Sequence, residues 1–199
     1  MSTSYFTDDS MLRRVIRETV VAFSAPRTLL MQAAHPVAFV SNWGSNEELA
    51  AFRQALGARF TTFVKQDWAA QPGEPIEDDL LIRADKNPNT LAARALFPAA
   101  DDGGALDRAT DLVLVWGEGF DFARVPPGAA IIFLNAYIAP ENSDADVFVP
   151  ISIQTERRGH YTNFQGTVSA FEPCFTKNPS IADAEALFAS LAVPEVEPA

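Results

Sequence analysis

Of 199 residues, one is cysteine (Cys174) and two are histidine (His35 and His160). A lone thiol forms no internal disulfide and no C-x-x-C pair. An iron–sulfur cluster usually needs four thiolates, so this chain is not expected to hold one by itself. A closed zinc site of the ordinary Cys/His type is not expected on the same count. Long apolar runs are also missing. The longest fall short of the roughly 20 residues that a membrane helix needs, so no direct membrane insertion is expected. The N-terminus, M-S-T-S-Y-F-T-D-D-S, lacks a basic region followed by an apolar core, and no secretory signal is read from it. Basic residues are scarce as well: 15 Lys and Arg stand against 26 Asp and Glu, a formal net charge of −11. Such a surface repels phosphate backbones and anionic lipid, which argues against nucleic acid as a partner. The cytoplasm is the default compartment. The remaining composition, 48% hydrophobic and 21% charged, is that of a globular chain.

Periodicity places helices first. Asp9 or Ser10 caps a helix carrying Met11, Leu12, Val15, Ile16, Val20 and Phe23 on one face, and Ser24-Ala25-Pro26 interrupts it. A second, more apolar helix, T-L-L-M-Q-A-A-H, runs up to Pro36. Ser45 and Glu48 have capping-box spacing. Leu49, Phe52, Leu56, Phe60 and Phe63 then mark one helix face to about Val64, with Gly57 weakening it by about 1 kcal/mol. Gln66 to Glu77 reads as a loop turning at Pro72-Gly73, and Asn89 caps a helix from Thr90 to Leu96. After a break at Pro98 to Gly104, Leu112–Trp116, Ala130–Asn135 and Val147–Val149 read as strands. The first is continuously apolar, as in a sheet covered on both faces. Pro140 to Ala145 is a turn or short helix. Ser180 caps a last helix with Ile181, Ala184, Leu187, Phe188 and Leu191, Asp183 completing a capping box, and the tail from Val193 frays. The expected fold class is α/β: N-terminal helices, then a small α/β layer with a short, mostly parallel sheet.

Few residues suggest chemistry. Gly117-Glu118-Gly119 follows a strand and imitates the start of a dinucleotide fingerprint. The third glycine would fall at Phe122, Glu118 would repel a pyrophosphate, and a tight turn explains the pair better. Asp85 and Lys86 read as a solvated pair, and Arg157 and Arg158 as facing solvent or a partner. No paired-carboxylate, Ser/His/Asp or Cys/His arrangement stands out, so no catalytic residue is assigned.

Two strings carry a family likeness. Asp144 to Gly166 contains A-D-x-x-x-P followed by E-x-x-G-x-x-x-N-x-x-G, and Leu81 to Thr90 reads L-I-R-A-D-K-N-P-N-T. Together with N-E-E-L-x-A-F from about Ser45, residues about 45–192 resemble the C-terminal, molybdopterin-oxidoreductase-fold part of the large peripheral subunit of respiratory complex I, NADH:quinone oxidoreductase. The resemblance implies the fold of molybdenum enzymes kept without molybdopterin, cut from a longer subunit whose N-terminal part carries the iron–sulfur domains. It also implies other subunits of a peripheral arm as partners. In catalytic relatives the loop with Glu156, Gly159, Asn163 and Gly166 lies near the pterin. Here His160 stands where threonine is usual and Thr167 where a basic residue often follows, so those four positions read as structural and no cofactor is expected. The first forty residues differ. F-T-D-D-S-M-L-R-R-V-x-R-E and P-R-x-L-L-M-Q-A-A-H-P resemble the start of the rubber-oxygenase-like (latex-clearing) family, which is helical and uses b-type haem. That makes His35 a candidate haem ligand. The likeness stops near Phe39, placing a join between Val37 and Trp43 and dividing the chain into 1–43, 44–97 and 98–199. The expected function is a non-catalytic scaffold or interaction piece related to the complex I subunit, reaching the membrane only through partner subunits. The alternatives are a small haem-dependent oxygenase and a fusion product without selected function.

Overall fold

The structure, a computed structural model, describes residues 25–65, 83–101, 104, 106–137, 140–178 and 181–192. The expected first helix, the 66–77 loop, the Ser180 cap and the tail from Val193 lie outside these residues. Five strands form one sheet in the order β2-β1-β3-β4-β5: β1 (Pro36–Val40), β2 (Thr61–Val64), β3 (Leu112–Trp116), β4 (Ala130–Asn135) and β5 (Val147–Pro150). Every neighbouring pair is parallel. The α/β class with a short parallel sheet therefore holds. Helices α1 (residues 25–32), α2 (Asn46–Leu56), α3 (Thr90–Leu96) and α4 (Ala184–Leu191) accompany it, with a separate antiparallel hairpin of β6 (Gly159–Thr162) and β7 (Val168–Phe171).

Alternation along the strands makes two cores. Val40, Leu114, Trp116, Ile132, Leu134 and Val149 meet Leu49 and Phe52 of α2 and Leu187, Phe188 and Leu191 of α4. Phe188 sits edge-on to both Phe52 and Trp116, with ring centroids 5.1 and 5.0 Å away. Val37, Phe39, Val113, Val115 and Phe133 face the other way, against Phe120, Phe122 and Val125 of the β3–β4 connection. That connection contains only a 3-10 turn, Phe122–Arg124, so aromatic side chains close this face where a helix often would. Arg124 anchors the connection through a two-pronged pair with Asp101, at 2.8 and 2.7 Å.

Several boundaries move from their expected places. The helix begun at Ser45 ends at Leu56 rather than near Val64. Thr61-Thr62-Phe63-Val64, rich in β-branched residues, instead pairs with β1 along its whole length. The helix before Pro36 stops at residue 32, because Asp111 accepts the amides of Ala34 (2.6 Å) and His35 (2.9 Å) and turns the chain into β1. β1 itself is absent from the sequence reading. It crosses Val37, at the proposed join, and is hydrogen-bonded on both sides. Segments 1–43, 44–97 and 98–199 thus each give strands to one sheet. The last helix begins at Ala184, later than expected, because Ala182 lies beside Ile151 and its carbonyl accepts the Ser152 amide. Asp183 makes no side-chain cap there and pairs with Lys177 at 2.6 Å.

Candidate functional site

Parallel strands deliver their carboxyl ends to one edge of the sheet, and open α/β sheets bind ligands there, where the strand order reverses. Here the chain passes from β1 outward to β2 and returns to β3 on β1's other side, so the reversal lies between β1 and β3. The loop after β1, Ser41 to Ser45, and the turn after β3, Gly117-Glu118-Gly119, flank that point. Both glycines have positive φ, +85° and +78°, as the tight-turn reading requires. A cleft of about 340 Å³ opens above them, lined by Trp43, Glu118, Asn135, Tyr137, Ser152 and Arg157 among others. Trp43 and Tyr137 are exposed at its mouth. Asn135 (3% exposed) and Ser152 (1%) form its floor. The Asn135 Oδ1 accepts the Ala136 amide at 2.7 Å, and among the described residues neither its Nδ2 nor the Ser152 Oγ has a partner. Lys65, buried at the end of β2, donates to the carbonyl of Glu118 and ties the two strand ends together.

The two family-like strings meet at the β1–α2 loop. From the first, Asn89 is fully buried and acts as a clamp. Its amide donates to the Asn42 carbonyl (3.1 Å), its Nδ2 to the Gly44 carbonyl (2.7 Å), and its Oδ1 accepts the Thr162 amide (2.7 Å). Asn89 precedes α3 as expected but does not cap it, since its side chain is spent on these contacts. Asn87 Oδ1 accepts the Trp43 indole N–H at 3.1 Å. Asp85 and Lys86 do not pair with each other. The Asp85 carboxylate accepts from Asn87, and the Lys86 amine donates to the Arg83 carbonyl.

The second string supplies β5, as read, but its last part, from Glu156 to Gly166, is not only the polar loop it reads as, because it provides β6 and the turn of the β6–β7 hairpin. Arg157, expected to face solvent or a partner, is turned inward. Its Nη1 contacts the Glu48 Oε1 at 2.5 Å, and its Nη2 donates to the Trp43 carbonyl at 3.0 Å. Glu48 also completes the expected capping box with Ser45, at 2.8 and 3.1 Å. Burial pushes the Glu48 carboxyl above its ordinary value, against the pull of Arg157. Tyr161 donates to the Trp43 carbonyl at 3.1 Å, and burial raises its phenol likewise.

The four matched positions are used locally. Glu156 accepts the Ile153 amide at 3.3 Å. A Cβ on Gly159 would stand 2.8 Å from the Ser45 Cβ, so glycine lets β6 approach the start of α2. Asn163 Oδ1 accepts the amides of Gln165 and Thr167, both at 2.9 Å, and Gly166 completes that turn at φ +82°. His160 is half exposed and contacts both oxygens of Glu47, its amide at 3.0 Å and its Nδ1 at 2.6 Å. Burial alone would raise Glu47, but the bonds from His160 outweigh it and hold the carboxyl below its usual value. His35 lies in the exposed bend before β1, at the end of the sheet away from the cleft. Cys174 is exposed. Among the described residues no group of three His, Cys, Asp or Glu side chains is placed to hold a metal, and no helix is long and apolar enough to cross a membrane.

Trp43, Asn135 and Ser152 escaped the sequence reading. For Asn135 a signal existed: a polar residue closing an apolar run sits at a strand's carboxyl end. No protein-family model matches this chain and no curated protein matches it significantly, so the meaning of the cleft rests on its geometry.

Proposed function

We propose that this chain is a non-catalytic scaffold or interaction piece, related to the molybdopterin-fold end of the complex I large subunit and working through other protein subunits. One observation carries the proposal. The segment that would lie near a pterin in catalytic relatives spends Arg157 and His160 on holding itself to the β1–α2 loop and to the start of α2, and Glu156 and Asn163 on its own backbone amides. A side chain committed to the fold in this way is poorly placed to exchange partners with a ligand. The test is an absorption spectrum with iron and molybdenum analysis of the purified chain, followed by capture with peripheral-arm subunits. A colourless, metal-free, folded protein that retains such subunits is the expected outcome. Stoichiometric molybdenum or iron–sulfur overturns it, and a haem band lost on His35→Ala transfers the reading to the oxygenase alternative.

The Asn135 Nδ2 and Ser152 Oγ, which have no partner among the described residues, favour a second reading, a cleft that holds a small polar molecule through these groups. Native mass spectrometry of the protein as purified tests it. A bound small molecule lost in Asn135→Leu supports the second reading, and an empty cleft removes it.

A further inference from the structure

The two long edges of the β6–β7 hairpin are treated differently. In its register Thr162 faces Val168, Tyr161 faces Ser169 and His160 faces Ala170. The Asn163 amide donates to the Thr167 carbonyl, which fixes the hydrogen-bonding phase. Tyr161–Ser169 is a hydrogen-bonded pair, while Thr162–Val168 and His160–Ala170 are not. The residues of the latter pairs turn their amides and carbonyls outward. On the β6 side these amides are satisfied: Glu47 accepts from His160 at 3.0 Å and Asn89 from Thr162 at 2.7 Å. On the β7 side Val168 and Ala170 have no acceptor among the described residues, and both are exposed, Val168 at 57%. Phe164 at the hairpin turn (60%) and Phe175 beyond β7 (67%) are exposed too. An open edge flanked by apolar side chains, with no lysine or proline within V-S-A-F, lacks the usual protection against strand pairing.

We propose that a second copy of this chain occupies this edge, β7 pairing antiparallel with β7 of its partner about a two-fold axis through Ser169. That register sets Val168 of each copy opposite Ala170 of the other and joins all four outward-facing residues in hydrogen-bonded pairs. The two hairpins become one four-stranded sheet. The strand carries no charge, and the flanking Glu172 falls opposite Gly166, so no like charges oppose one another across the pair. Antiparallel symmetry also brings the turn with Phe164 in one copy beside the exit with Phe175 in the other. Registers centred on Val168 or Ala170 leave one open residue facing the hairpin turn or the chain beyond β7.

The test combines light scattering with a cross-link. Ser169 of the two copies form a non-hydrogen-bonded pair, with Cα atoms about 4.5 Å apart, a separation that a disulfide accepts. In a Cys174→Ser background, Ser169→Cys is expected to give a covalent dimer on mild oxidation, and the wild-type chain to have twice the monomer mass at micromolar to submillimolar concentration. Ala170→Pro deletes an outward N–H without touching a hairpin bond, and is expected to give a monomer with an unchanged circular-dichroism spectrum. If that variant misfolds, Val168→Lys with Ala170→Lys is expected to give the same monomer through an edge of like charge. A wild-type monomer, or a dimer that survives both changes and fails to cross-link, overturns the proposal. A monomer that binds an extended segment of another protein at β7 overturns it too, in favour of that partner.

Discussion

Arg157 and Glu48 show what one buried ion pair demands of its neighbours. Arg157→Ala leaves a carboxylate at the base of α2 without its counter-charge, and the expected loss is about 3 kcal/mol in chemical denaturation. The double change Arg157→Ala, Glu48→Gln is expected to recover part of it, because no buried charge then stands alone. The pH dependence follows from the direction of the Glu48 shift. A carboxyl raised in the folded state lends its stability in full below its unfolded value, and that contribution declines as pH climbs through the folded value. Arg157 pulls this value down, so its removal extends the decline upward. The deficit of Arg157→Ala should then be larger near pH 8 than near pH 5. Asn89→Ala removes the clamp between Gly44 and Thr162 and is expected to cost about 2–3 kcal/mol, as the buried Gly44 carbonyl and the partly buried Thr162 amide lose their partners. Faster hydrogen exchange at the Thr162 amide checks whether the loss falls on the hairpin.

Among the elements, α4 covers the aromatic junction of Phe52 and Trp116. Phe188→Ala is expected to destabilise the fold by about 3–5 kcal/mol, read as a lower denaturation midpoint with an unchanged slope. Elements whose own residues dictate them were legible in advance. β3 and β4 appear with their boundaries as read, since five or six apolar residues in a row suit little else. The α2 capping box is similarly local. Elements decided by distant partners were not legible. Phe60 and Phe63 continue the helical spacing of α2, yet Thr61–Val64 takes its conformation from β1. Pro36–Val40 follows a helix and carries no turn signal, but lies between β2 and β3. The hairpin was hidden for another reason: Gly159–Thr162 is polar or glycine at most positions, and its order comes from the side chains of Glu47 and Asn89. For the same reason the cleft was only half visible, since its walls come from five loops widely separated in sequence.

For the whole molecule, the position of β1 makes the sheet indivisible. The fragment 44–199 retains both strings that resemble the complex I subunit but loses the strand joining β2 to β3, exposing facing edges and the inner surfaces of α2 and β3. It is expected to lack a cooperative unfolding transition, whereas the full chain shows one; circular dichroism against temperature decides. Charge at this scale is one-sided, at −11, and the basic side chains Arg157, Arg124 and Lys65 are turned to internal bonds. The central position of β1 also bears on synthesis. β1 leaves the ribosome first of the five strands, β2 follows soon, but β3 comes only after α3 and the turn behind it. At about 5–20 residues per second the wait is of order ten seconds. Through that interval an apolar strand has one edge bare, and the nascent chain needs either a holding chaperone or a temporary non-native partner.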